Sequence, residues 1–100
     1  MKLKESEIRE CIAKNLQLLD KNLILIKEEY QIKLTDKRTG FIDILAKDKF
    51  GCYTIIEIKK SNQTARSAIQ QLFKYASFFK KKNRLESSQI RCLVISTVWD

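Results

Sequence analysis

Proline is absent from the 100 residues, and glycine occurs only at Gly40 and Gly51. There is therefore no Pro/Gly-rich linker, and no repeat or low-complexity stretch interrupts the chain. Elements that follow one another this closely predict one domain over residues 1–100. Histidine is also absent. That removes Ser-His-Asp and Cys-His catalysis and every His-ligated metal site. The three cysteines, Cys11, Cys52 and Cys92, are odd in number and far apart. Without a C-x-x-C pair there is neither a zinc ribbon nor a redox motif. Each cysteine sits beside apolar residues, which predicts thiols packed in the core. No apolar run approaches the roughly 20 residues a membrane helix needs. The start, Met1-Lys2-Leu3-Lys4-Glu5, has no apolar signal-peptide core. The expected setting is intracellular, in the cytoplasm, with no membrane association.

What is present is a soluble composition, 44% hydrophobic and 32% charged. A chain this size buries roughly 60–68% of its unfolded surface, enough for a thin core. Its formal net charge is +8, a field that favours polyanions such as nucleic acid. Any catalysis must use carboxylates, lysine, amides, hydroxyls or an oxygen-held metal.

Residues 5–19 carry Ile8, Cys11, Ile12, Leu16 and Leu19 at helical spacing, with Ser6 as a candidate cap. Residues 23–34 read as a strand with Ile24, Ile26, Tyr30, Ile32 and Leu34 on one face. A polar turn from Thr35 to Gly40 leads to strands at 41–47 and 52–59. Residues 64–82 predict a second helix that buries Ile69, Leu72, Phe73, Ala76 and Phe79, and residues 90–97 a last strand. The order αβββαβ is that of an α/β domain with a mixed central sheet flanked by helices.

The middle hairpin is the most informative segment. Asp48 before the turn and Gly51 at its end suit a three-residue loop closed by a left-handed residue. That loop pairs Lys47 with Tyr53 and Leu45 with Ile55, and two steps on it sets Asp43 opposite Glu57. Directly opposed residues share a face, and Lys59 lies on it too. Ile42, Ile44, Ile56 and Ile58 then fill the other face. The plain alternative is a solvated ion-pair ladder, but these charges interrupt β-branched core strands. Two adjacent carboxylates repel, and one lysine does not satisfy both. A divalent cation does: Mg²⁺ takes one or two carboxylates plus substrate phosphate, with the backbone carbonyl of Ile58 as a further ligand. Lys59 would then neutralise the phosphate as charge develops.

Gly40-Phe41-Ile42-Asp43 followed by Glu57-Ile58-Lys59 resembles the PD-(D/E)XK nuclease superfamily, with Ile42 where a proline often stands. Gln71-Leu72-Phe73-Lys74-Tyr75 adds a QxxxY pattern similar to that of the RecB-like and NucS-like branches. Glu7 resembles the helical acidic residue of the same group, with Glu10 the competing choice. The resemblance implies a restriction-endonuclease-like core, Mg²⁺ or Mn²⁺ dependence and phosphodiester hydrolysis. It implies metal ligation by Asp43, Glu57, the Ile58 carbonyl and Glu7. Catalytic roles fall to Asp43, Glu57, Lys59, Gln71, Glu7 and Tyr75. DNA is the implied substrate, since those branches act mostly on it, and RNA suits the charge equally. The activity implied is endonucleolytic or structure-selective, and repair, recombination, restriction of foreign DNA and mobile elements are all compatible with it.

Gln71 and Tyr75 are one helical turn apart and project together; Gln70 is the alternative amide. Lys60, Arg66, Lys74, Lys80, Lys81 and Lys82, with Arg84, are candidates to track a phosphate backbone. Lys80 to Lys82 also suit a solvated helix end. Phe78 and Phe79 read as core rather than base-stacking platforms. Glu28 falls on the apolar face of the first strand unless a bulge rotates it out. Val98 and Trp99 are apolar residues at a terminus, which predicts a partner surface: a homodimer, or a domain of a larger protein. The competing reading of the whole is a non-catalytic nucleic-acid-binding or assembly module.

Overall fold

Loop chemistry fixes the centre of the molecule. In the computed structural model, which describes residues 4–35, 37–59 and 65–96, Asp48 organises the central turn. Its side-chain Oδ1 accepts the N–H groups of Phe50 and Cys52, at 2.8 and 3.0 Å. The Gly51 N–H returns to the Asp48 carbonyl at 3.2 Å, and Gly51 takes φ +88°, which glycine adopts at little cost. Strands β2 (Arg38–Lys47) and β3 (Tyr53–Lys59) leave this turn antiparallel, with Lys47 opposite Tyr53 and Leu45 opposite Ile55 as expected. Strand β1 (Ile24–Thr35) pairs antiparallel with β2, and β4 (Ile90–Ser96) pairs parallel with β3. The sheet order β1-β2-β3-β4 is mixed, and the element order is αβββαβ.

The helices cover opposite faces. Helix α1 (Glu5–Lys14) and the 3-10 turn Leu16–Leu18 place Ile8, Ile12, Ala13 and Leu16 against Ile44, Ala46, Ile56 and Ile58. Helix α2 (Ala65–Asn83) places Leu72, Tyr75 and Phe79 against Ile32, Ile42, Leu45 and Ile55. The edges of Tyr30 and Tyr53 meet Phe79, with ring centroids 5.9 and 5.1 Å apart. No helix among the described residues is long and apolar enough to cross a membrane.

Several expectations change. Helix α1 is shorter than 5–19, and Lys4 rather than Ser6 holds the capping position. Cys11 is exposed, and Cys52 and Cys92 are only half-buried, so the thiols are not core residues. Leu19, Ile24 and Ile26 are exposed, and β1 slips by one residue at Ile26, between Leu25 and Lys27. This bulge is the kind that would move Glu28 off the core; Glu28 is half-buried and paired with Arg9. On α2 the buried stripe is Ala68, Leu72, Tyr75 and Phe79, while Ile69 and Phe73 face outward. Tyr75, amphipathic, takes the inward place that Phe73 was expected to hold. Ile42 lies on the α2 side and Ile44 on the α1 side, although they are two residues apart. The β1–β2 ladder is interrupted between them, at Asp43. Thr64, Thr97, Val98 and Trp99 lie outside the described residues.

Candidate active site

The β2–β3 ladder runs from Lys47↔Tyr53 to Ile44↔Ile56 and stops one step short of Asp43 and Glu57. At that step the Ile58 N–H donates to Asp43 Oδ2 at 2.8 Å. A carboxylate oxygen stands where a strand carbonyl would otherwise stand. A strand residue's N–H and C=O point to the same side, so the Ile58 carbonyl also faces the gap that opens between the strands.

Glu57 lies at this gap and is only 4% exposed. Burial, then the hydrogen bond and charge of Asp43, push its carboxyl up to about 9. The Lys59 charge pulls it the other way, and Glu5 adds to the rise. The rise favours the protonated form of Glu57. As a carboxylate, its buried Oε2 would have no hydrogen-bond partner. Asp43 and Lys59 both act on Glu57, so the three come together, but not by the expected pairing: the ladder has no Asp43–Glu57 step, and Asp43 leaves the face of Leu45 and Ile55 for the α1 side.

The cavity beside Asp43, about 260 Å³, opens on the α1 side and is lined by Glu5, Ser6, Arg9, Glu29, Asp43 and Ile58. Glu7 does not contribute to it. Its carboxylate accepts the Lys4 N–H at 3.2 Å and closes the first turn of α1, so it is exposed and engaged in capping. Glu10 is exposed too, 4.0 Å from Arg9. Among the described residues no group of three or more acidic, cysteine or histidine side chains is arranged to hold a metal. The donors here are two carboxylates and the Ile58 main chain. Residue composition did not single out Glu5, Arg9 or Glu29. Glu5 and Arg9 lie one helical turn apart, on the flank of the inward stripe of Ile8 and Ile12, which is the signal that marks them.

Gln71 and Tyr75 do pair, Gln71 Nε2 donating to Tyr75 Oη at 2.6 Å. They are not part of the Asp43 cavity. They line a separate groove of about 590 Å³ between α2 and the β1–β2 turn, with Lys37, Arg38, Gln70 and Lys74. Tyr75 is buried over Gly40: a Cβ there would lie 2.5 Å from its Oη.

The basic candidates divide. Lys74 lines the groove, joined by Lys37 and Arg38. Arg66 is exposed near the start of α2, and Lys81, Lys82 and Arg84 are exposed at its far end. Lys80 is tied to Ser87 Oγ at 3.0 Å and is a local link rather than a free phosphate contact. Lys60 lies outside the described residues.

These observations define a class: an α/β domain whose mixed sheet parts between a half-buried aspartate and a buried glutamate with a lysine close by. The chain belongs to the Endonuclease NucS C-terminal domain family, whose model matches residues 4–98. Endonuclease NucS of Methanocaldococcus jannaschii is 35% identical over 92 residues, which are 92% of this chain and 32% of that protein. Endonuclease NucS of Sulfurisphaera tokodaii is 32% identical over 75 residues, 75% of this chain and 27% of that protein. The chain thus spans about a third of the length of these curated relatives. The fold is shared with a repair endonuclease from Pyrococcus abyssi, at TM-score 0.66 and 19% identity over 96% of this chain and 38% of that one. It is shared equally with the structure of an EndoMS–dsDNA2 complex, at TM-score 0.67 and 18% identity over 97% of this chain and 39% of that one.

Proposed function

We propose that this domain is the catalytic core of a metal-dependent DNA endonuclease, with a restriction-endonuclease-like fold of the PD-(D/E)XK superfamily. The observation that carries the reading is the parted ladder at Asp43, whose carboxylate accepts the Ile58 N–H, with the buried Glu57 beside it and Lys59 two residues on. A buried glutamate against a half-buried aspartate, with one lysine to offset their repulsion, suits a divalent cation.

The residues present fit such an ion. Asp43 and Glu57 would hold it, with the Ile58 carbonyl facing the same gap, and Glu57 Oε2 has no other partner. Two carboxylates suffice for Mg²⁺ or Mn²⁺ when substrate phosphate and water complete the shell. When bound, the ion would stabilise charge developing on the phosphodiester.

The chain's own groups do the rest. Glu57 would hold the ion as a carboxylate, so its proton would pass to solvent. The Ile58 N–H keeps Asp43 Oδ2 in place throughout. Lys59 supplies a fixed positive charge where the phosphate gains negative charge. The groove of Lys37, Arg38 and Lys74 receives a neighbouring stretch of phosphate backbone, with Gln71 anchored by Tyr75 as an amide donor beside it. DNA is the proposed substrate because the matching relatives are named endonucleases and one fold neighbour is a dsDNA complex. Repair is the proposed setting, from the name of the Pyrococcus neighbour.

The test is cleavage of end-labelled single-stranded, duplex, flap and junction DNA with Mg²⁺, Mn²⁺ or EDTA. Asp43→Ala and Lys59→Ala run alongside. Metal-dependent cutting that both variants lose, while still folding and binding DNA, is the expected result. A folded protein that binds DNA and never cuts with either ion would instead be a binding module.

A further inference from the structure

One step is missing from the β1–β2 ladder between Lys27 and Lys33. The pairs Glu28↔Ile44 and Tyr30↔Ile42 flank it, which puts Glu29 across from Asp43. Glu29 has φ +50°, in the left-handed region that a residue with a Cβ enters only at a cost. Nothing local favours that conformation in a strand of Glu, Tyr, Gln and Ile.

What holds it is on another element. Arg9 of α1 donates from Nη1 to Glu29 Oε1 at 2.8 Å and from Nε to Glu28 Oε1 at 3.2 Å. One planar guanidinium thereby spans two successive residues of β1, a geometry that a lysine does not reproduce. The Arg9 side chain is 17% exposed; its bond to Glu28 is partly buried, while Glu29, 62% exposed, meets it at the surface.

The consequence appears on β2. Regular alternation would put Asp43 with Leu45 on the α2 side, and Ile42 with Ile44 on the α1 side. Instead Ile42 packs with α2, Ile44 packs with α1, and Asp43 lines the α1-side cavity with Arg9, Glu29 and Ile58. The chain rotates at the one residue whose partner on β1 is held in the left-handed region.

We propose that Arg9 and Glu29 form a positioning clamp: by fixing the kink of β1 opposite Asp43, they release β2 from its ladder and turn the Asp43 carboxylate onto the Ile58 amide. Neither touches the reacting atoms; they act through Asp43. The importance of the clamp for cleavage rests on the nuclease reading, whereas its effect on Asp43 does not.

The test separates the two. Amide hydrogen exchange of the intact chain is followed by NMR in the wild type, Glu29→Ala, Glu29→Gly and Arg9→Gln, with cleavage of duplex DNA in Mg²⁺ measured in parallel. Glycine enters the left-handed region freely and alanine does not. Glu29→Ala and Arg9→Gln are expected to speed exchange at Ile58 on the order of tenfold, with the rest of the β2–β3 ladder unchanged. Glu29→Gly restores Ile58 protection, and with it kcat, although glycine is the poorer strand residue. If the role were merely structural, glycine would be no better than alanine and the whole sheet would exchange faster together; that result overturns the clamp. Unchanged Ile58 exchange in Glu29→Ala and Arg9→Gln also overturns it. The expected exchange pattern in a protein that never cuts DNA would uphold the clamp and defeat the nuclease reading.

Discussion

The side chain of Asp43 accepts a hydrogen bond from the main chain of Ile58, fifteen residues further on, at 2.8 Å. This bond makes the same carboxylate a structural acceptor and a candidate metal ligand. Asparagine keeps an oxygen for the Ile58 N–H and loses the charge. Asp43→Asn is therefore expected to hold its unfolding free energy within about 1 kcal/mol of the wild type. Cleavage should fall by at least about 100-fold. Urea unfolding and single-turnover cleavage measured on the same preparation check both halves; a variant that unfolds in step with its loss of activity would contradict them.

Glu57 sets a pH dependence with a definite sign. Its carboxyl is raised from the ordinary value of 4.5 to about 9 in the folded chain, by burial first and by Asp43 next. Between those values the folded state binds more protons than the unfolded state. Stability is therefore highest below about pH 4.5 as far as this group is concerned. It falls as pH rises toward 9, by at most about 1.4 kcal/mol per unit, and levels off above. Urea midpoints at several pH values should show this fall in wild type and lose it in Glu57→Gln. Saturating Mg²⁺ should flatten it too, because the cation takes the place of the proton.

Gly40 is forced by packing. An added Cβ would meet Tyr75 at 2.5 Å from Oη and 2.6 Å from Cζ, and the Tyr75 ring is buried. Gly40→Ala is expected to cost about 1–3 kcal/mol. Thermal unfolding measures it, and a wild-type melting temperature would show that the ring moves freely.

The groove between α2 and the β1–β2 turn makes a different prediction from the lysine run at the end of α2. Arg38→Gln and Lys74→Gln should each weaken DNA binding and lower the slope of log K against log salt by about 0.7–0.9. Lys81→Gln and Lys82→Gln should change it little. Fluorescence anisotropy across a salt series discriminates, and the reverse ranking would move the DNA path to the far end of the helix.

The readable parts of this molecule are those whose cause is local. The Asp48–Gly51 turn carries its own chemistry, so the β2–β3 register follows from it as far as Ile44 and Ile56, one step short of Asp43 and Glu57. The order of elements is equally local, since each shows its own period. What was misread depends on a partner elsewhere. Glu5 and Glu7 both occupy the first turn of α1, and only docking on the sheet decides that Glu5 influences Glu57 while Glu7 caps the helix. Ile69 and Phe73 form as plausible an apolar stripe as Ala68, Leu72 and Tyr75; Gly40, on another strand, leaves space for the tyrosine. The rotation of β2 at Asp43 coincides with Glu29 and Arg9, from two further elements, and periodicity within β2 contains no trace of it.

The loop from Asp48 to Cys52 lies well away from the carboxylates, yet it decides which residues face each other there. A hairpin behaves like a ruler whose zero is its turn: adding or removing one residue shifts every mark along both arms. Substitutions at Lys49 or Phe50, both exposed, leave the scale intact. An insertion beside them would shift the whole β2–β3 ladder by one residue and carry Asp43 away from the Ile58 amide. For this site, the count of residues in a solvent-facing loop is as strict a requirement as the identity of the acids themselves.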